Sequence, residues 1–198
     1  MKFPSIVRET DGWETVRREV RHSDPWTELA VETVRSPAQP VPRTWTVVHR
    51  KAAAVVAPRT AGGGFVLVRQ ERIPIRGALW EFPAGQIDET GAVDDAVIRA
   101  TALRELAEET GHELAPDGEL VPLGHFFTSP GFTDEHGFLF LATAVRPTGA
   151  GHAPDHGESI VAVREFPAEE LCRMIAAGEI CDANTLATFA RLAARGLF

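Results

Sequence analysis

The chain has 198 residues, 44% hydrophobic and 24% charged, a balance that fits a folded globular chain and argues against wholesale disorder. Its 28 acids outnumber its 20 bases, for a formal net charge of −8, and no basic stripe offsets them, so nucleic acid and anionic membranes are poor partners. No apolar run approaches the roughly 18 residues that a membrane-spanning helix needs. Met1-Lys2-Phe3-Pro4 lacks the apolar core of a signal peptide. Cys172 and Cys181 have no metal-ligand spacing and are expected to stay reduced in a cytoplasmic setting.

Taken in chain order, the first 36 residues are rich in charge. Weak alternation over residues 26–34 predicts a strand. Ser36-Pro37-Ala38-Gln39-Pro40-Val41-Pro42 reads as a stiff, proline-rich connector. Residues 1–42 are therefore expected to form a small β-rich accessory segment, and residues 43–198 the main domain. The accessory segment has too few apolar residues to stand alone, so it should pack on the main body or on a second subunit. Strands follow over residues 44–56, over 64–70 after the turn Thr60-Ala61-Gly62-Gly63, and over 78–82, where Pro83 stops the run. A helix is predicted over 95–110, capped by Asp94 or Asp95 and ended by Gly111 at the position that favours glycine. Strands at 120–127, 138–145 and 159–166 and helices at 167–177 and 184–195 complete the pattern. Strands with an interposed helix and two closing helices point to an α/β or α+β layered domain.

The informative stretch is Arg104-Glu105-Leu106-Ala107-Glu108-Glu109-Thr110-Gly111. At about 100° per residue, Glu109 lies roughly 40° to one side of Glu105 and Glu108 roughly 60° to the other. Leu103, Leu106, Ala107 and Thr110 fall on the opposite arc, which is expected to pack on a sheet while the three acids converge away from it. Arg104 stands one turn before Glu108 and can pair with it. Acids near a helix C-terminus oppose the helix dipole at a cost of about 0.3–1 kcal/mol each, unless a cation compensates. Before the helix, Glu81-Phe82-Pro83-Ala84-Gly85-Gln86 reads as a strand end and a proline–glycine loop able to offer a backbone carbonyl. Carboxylates plus a carbonyl are donors suited to Mg²⁺ or Mn²⁺.

Gly85 with the Arg104–Gly111 stretch resembles the Nudix box, a glycine, five residues, Glu, seven residues, then Arg-Glu-aliphatic-x-Glu-Glu-x-Gly-aliphatic. The second half matches at every fixed position through Gly111. In the first half the expected glutamate is Gly91, 19 residues rather than 14 separate Gly85 from Arg104, and the last aliphatic position is His112. Five residues are thus inserted near 90–95. Leu67-Val68-Arg69-Gln70-Glu71-Arg72, Ser129-Pro130-Gly131 and Asp182-Ala183-Asn184-Thr185-Leu186 extend the resemblance to the ADP-ribose and nucleoside-diphosphate-sugar pyrophosphatases of that family.

The resemblance implies an α+β fold, an α/β/α sandwich with a mixed sheet between helices and a small N-terminal β unit. It implies Mg²⁺- or Mn²⁺-dependent attack of water on the diphosphate of ADP-ribose or a related nucleotide sugar, giving AMP and a sugar phosphate. Glu105 and Glu109 would be metal ligands, Glu108 a third ligand or the partner of Arg104, and Ala84 the carbonyl donor. Arg72 and Arg50 would contact phosphates, and Trp45 and Trp26 would stack on the base. The general base would come from the Gly-rich loop 147–158, with Glu158 the first candidate and Glu135, in Ser129-Pro130-Gly131-Phe132-Thr133-Asp134-Glu135, the second. Glu81 would support the site or simply be a strand-end acid. A homodimer exchanging N-terminal segments is also implied. A UDP- or GDP-sugar as substrate, or a non-catalytic ADP-ribose-binding module, are the alternatives.

Overall fold

Antiparallel strands β1 (Glu14–Ser23), β2 (Thr27–Ser36) and β3 (Gln39–Arg50) form a three-stranded sheet in that order. The computed structural model describes residues 12–88, 93–149, 151 and 159–198. The chain divides into two compact units, the first Met1–Ala52, Asp88–Val93 and Phe127–His136, the second Ala53–Ile87, Asp94–Phe126 and Gly137–Phe198. The first unit thus runs past the boundary expected at 42/43.

The predicted connector is instead the β2–β3 hairpin and the start of β3. Its prolines fit because β3 is an edge strand, where an outward position needs no N–H for the ladder. Pro40 also takes part through its carbonyl, which accepts from Arg35 Nε at 2.9 Å. β1 was hidden in the charge-rich start because almost every residue on it is exposed. Backbone pairing with β2 and the bonds of Arg18 to Glu28 and Glu32 hold it.

The single strand expected over 44–56 is two. β3 ends at Arg50, and β4 (Ala53–Thr60) opens the second unit. No glycine or proline marks the break at Lys51-Ala52, so no turn signal separates the strand-forming stretches on either side of it. β5 (Phe65–Arg72), β6 (Gly77–Glu81) and β7 (Ala84–Gln86) follow, then α1 (Asp95–Thr110), β8 (His112–Leu114), β9 (Leu120–Phe127), β10 (His136–Pro147), β11 (Ile160–Phe166), α2 (Ala168–Ala176) and α3 (Ala183–Ala194). The sheet order is β11-β5-β4-β10-β8, with β6 on β5, β7 on β4 and β9 on β10. β4 and β10 run parallel and the other registered pairs antiparallel, so the sheet is mixed.

Alternation along these strands builds two apolar layers. Val55, Ala57, Leu67, Leu139 and Leu141 pack with Leu171 and Met174 of α2 and Leu192 of α3. Their neighbours Val56, Val66, Val68, Phe140 and Ala142 are also buried. On that second face Arg99 of α1 lies over the Phe140 ring at 5.8 Å. Helices therefore cover both faces, the α+β sandwich that the resemblance implies. Among the described residues no helix is long and apolar enough to cross a membrane.

Candidate active site

α1 starts as its sequence predicts. Asp94 accepts from the N–H groups of Ala96 and Val97, and Gly111 ends the helix at φ 68°. Its orientation differs from expectation. Glu105 and Glu109 are buried, at 4% and 1% exposure, in one stripe with Ile98, Ala102 and Leu106, while Leu103 is 39% exposed. The two acids thus lie on the packed face rather than opposite it. The reason is the neighbouring backbone, β7, which was expected to be loop and instead pairs with β4. The Ala84 N–H donates to Glu109 Oε2 at 2.9 Å. Gly85 has no side chain, and that leaves room for Glu105: a Cβ there would sit 1.8 Å from Glu105 Oε1. Glu108 is half-exposed and bonds Arg104 Nη1 at 2.6 Å, and Arg104 Nη2 lies 2.5 Å from Glu105 Oε1. One guanidinium therefore bridges two of the three predicted metal ligands.

Arg72, at the end of β5, meets Glu81, at the end of β6, through Nε–Oε1 at 2.9 Å and a second, Nη2–Oε2 contact. This fork-to-fork geometry is the one a guanidinium favours. Glu81 is 3% exposed, and its bond to Arg72 holds that guanidinium more firmly protonated than usual. Sequence reasoning placed Asp182 in the late motif but gave it no role of its own. It caps α3 by accepting from Thr185 N–H at 2.9 Å, and its charge acts on both Arg72 and Glu81. Burial pushes its carboxyl up to about 6. The Thr185 hydroxyl in turn accepts from Phe82 N–H at 2.8 Å, and Pro83 O accepts from Val56 N–H at 3.0 Å. These two bonds fix the segment that joins Glu81 to Ala84. The Asp-x-x-Thr cap pattern was the available signal.

The first unit holds the other predicted residues. Arg50, last on β3, donates its backbone N–H to Asp134 Oδ1 at 3.0 Å, and its Nε lies 3.2 Å from Glu135 Oε1. His49 Nδ1 is 2.7 Å from Asp134 Oδ2. Trp45 lies on β3 opposite Glu32 and Trp26 at the β1–β2 turn; both side chains are exposed. Glu158, most of its loop, and Gly91 lie outside the described residues.

Among the described residues no three His, Cys, Asp or Glu side chains form a ready-made cation cluster. The donor set nevertheless fits a hard divalent ion: every candidate donor is oxygen, and the glycine gap leaves the Glu105 carboxylate against the β7 backbone.

The NUDIX domain family model matches residues 48–189. The chain belongs to the NUDIX family. The matched range includes Gly85 and the α1 acids just described. A relative from Mycobacterium tuberculosis (strain ATCC 25618 / H37Rv), an ADP-ribose pyrophosphatase, is 33% identical over 88% of this chain and 80% of its own length. An ADP-ribose pyrophosphatase from Bacillus subtilis (strain 168) is also 33% identical, over 86% of this chain and 87% of its own. A solved structure described as an ADP compounds hydrolase superposes with a TM-score of 0.74 at 15% identity, covering 97% of this chain and 100% of that one. That last likeness bears on the Nudix fold alone.

Proposed function

We propose that this Nudix hydrolase cleaves the diphosphate of ADP-ribose or a closely related nucleoside-diphosphate sugar, releasing AMP and a sugar phosphate. The observation that carries the reading is the pair of buried carboxylates, Glu105 and Glu109, held against the β7 backbone at Gly85 and Ala84. Buried acids are costly unless they are paired and hydrogen-bonded; Arg104 reaches Glu105 and the Ala84 N–H reaches Glu109, and a divalent ion held by both acids would add to that compensation. The two ADP-ribose pyrophosphatases, each matched over most of both chains, support the substrate class.

In this reading Glu105, Glu109 and the Ala84 carbonyl hold the ion, with Glu108 as third ligand or as the partner that keeps Arg104 in place. A bound Mg²⁺ or Mn²⁺ supplies neutralisation of diphosphate charge and a more acidic water. Arg72 and Arg50 bind phosphate oxygens by bidentate bonding. Glu81 holds the Arg72 fork in its plane. Trp45 and Trp26 offer flat apolar faces to a purine. Glu158 takes the proton of the attacking water, and Glu135 is the second candidate for that role. Positioning and electrostatics carry most of the rate. The exposed apolar residues of the first sheet, among them Val16, Val20, Val41 and Trp45, support a homodimer built through the N-terminal segments. The two free cysteines support a reducing cytoplasmic setting.

The test is chromatographic product analysis on a panel of ADP-ribose, UDP-sugars and GDP-sugars with Mg²⁺ or Mn²⁺. AMP and ribose 5-phosphate from ADP-ribose are expected. A preference for a UDP- or GDP-sugar would move the substrate assignment, and binding without turnover would make the chain a sensor. Glu158→Gln is expected to lower the turnover number with KM nearly unchanged; a silent variant would shift the base to Glu135.

A further inference from the structure

We propose that His49 and Asp134 are positioning residues whose ion pair clamps the Phe127–His136 segment to the end of β3 and so sets the Arg50–Glu135 pair for substrate. The inference rests on the roles assigned above to Arg50 and Glu135, and all of its geometry lies within the first unit.

Asp134 makes two bonds at once. Its Oδ2 meets His49 Nδ1 at 2.7 Å, while its Oδ1 accepts from Arg50 N–H at 3.0 Å. Backbone contacts reinforce the junction: Val48 N–H donates to Phe132 O at 2.8 Å, and Val48 forms a parallel bridge with Thr133. Glu135 is the next residue along. Its Oε1 lies 3.2 Å from Arg50 Nε, and its Oε2 accepts from the Thr128 hydroxyl at 3.0 Å. A shift of Asp134 therefore moves both members of the Arg50–Glu135 pair.

The other imidazole nitrogen, His49 Nε2, is 3.3 Å from Glu32 Oε1 on β2. Only the imidazolium donates from both nitrogens; the neutral ring has one N–H and leaves a lone pair facing a carboxylate. The charged groups that face His49 are Asp134 from the 127–136 segment, Glu32 from β2 and Arg18 from β1, the last opposing its charge. The bond to Asp134 outweighs burial and holds the imidazole above its ordinary range. The charged clamp is therefore complete below the ordinary histidine value and weakens as pH rises through the higher folded-state value.

The test measures steady-state ADP-ribose hydrolysis with Mg²⁺ by the full chain from about pH 6 to 9, for the unaltered protein, His49→Ala, His49→Asn and Asp134→Asn. The unaltered protein is expected to show KM rising as His49 loses its proton. His49→Ala is expected to raise KM about tenfold at the acid end and to lose that pH limb. In His49→Asn the amide nitrogen replaces Nδ1 as donor to Asp134, so most of the lost affinity should return without the pH dependence. A folded His49→Ala with unchanged KM and pH profile, or one altered only in thermal stability, would overturn the proposal. NMR titration provides a readout independent of turnover. Asp134→Asn should lower the His49 pKa, and His49→Ala should shift the Arg50 and Glu135 amide signals. If the unaltered chain hydrolyses no nucleotide sugar, the functional reading fails, and the NMR result alone decides the clamp: unmoved signals overturn it.

Discussion

Replacing Asp182 by Asn should stabilise the protein at neutral pH and have progressively less effect in acid. Asn keeps the cap on α3, since its side-chain oxygen accepts from Thr185 N–H as well as a carboxylate oxygen does. What changes is the charge. Burial raises the Asp182 carboxyl from 3.8 to about 6, so the folded state holds its proton where the unfolded state has released it. A raised acid pKa means that folding is favoured below the unfolded value and loses ground as pH climbs through the folded one. A shift of about two units corresponds to an upper bound of ~3 kcal/mol of lost stability by pH 8. About half of that, ~1.5 kcal/mol, is lost between pH 5 and 8. The assay is urea unfolding of both proteins across that range. Asp182 Oδ1 has no hydrogen-bond partner among the described residues, so an amide N–H placed there carries a cost of its own. That cost is the same at every pH, and the pH dependence isolates the charge. A stability difference that stays flat from pH 5 to 8, or grows towards acid, would refute the burial argument.

Arg72→Ala should destabilise by about 2–3 kcal/mol in the same assay, because it strands the Glu81 charge, 3% exposed, without its partner. A loss below about 0.5 kcal/mol, as for an ordinary surface pair, would contradict the pairing. Gly85→Ala should cut turnover at least about tenfold through misplacement of Glu105, whose Oε1 lies 1.8 Å from the new Cβ position; full activity would show that Glu105 has no fixed place there. Thr185→Val leaves the buried Phe82 N–H without its acceptor and should cost about 1–3 kcal/mol, read by thermal unfolding. An unchanged melting temperature would remove the α3 anchor from the account.

Local signals read well and long-range ones did not. The helix predicted over 95–110 is α1 as observed, because Asp94 and Gly111 are cap residues whose chemistry acts within one turn. The burial of Glu105 and Glu109 was not legible. A helical wheel assigns acids to the wet side, and only the approach of the β7 backbone reverses it. Nor was the break between β3 and β4, where no glycine or proline separates the last residue of one strand from the first of the next. Arg72, Glu105 and Glu109 were singled out from motif positions, and Glu81 was noted beside them. His49 and Asp134 carried no local signal, since their bond joins residues 85 apart in the sequence. The cap pattern at Asp182 was visible. Its electrostatic tie to Arg72 depends on which strand end the fold brings near α3.

The central claim is that the acids of α1 hold the divalent ion on which diphosphate hydrolysis depends. Titrating Mg²⁺ into the full chain and into Glu105→Gln, with ADP-ribose present and AMP quantified, tests it most directly. The account predicts saturable, metal-dependent AMP release from the unaltered protein and a drop of about a hundredfold or more in Glu105→Gln. Equal AMP release by both proteins, or release that ignores the metal, would contradict it.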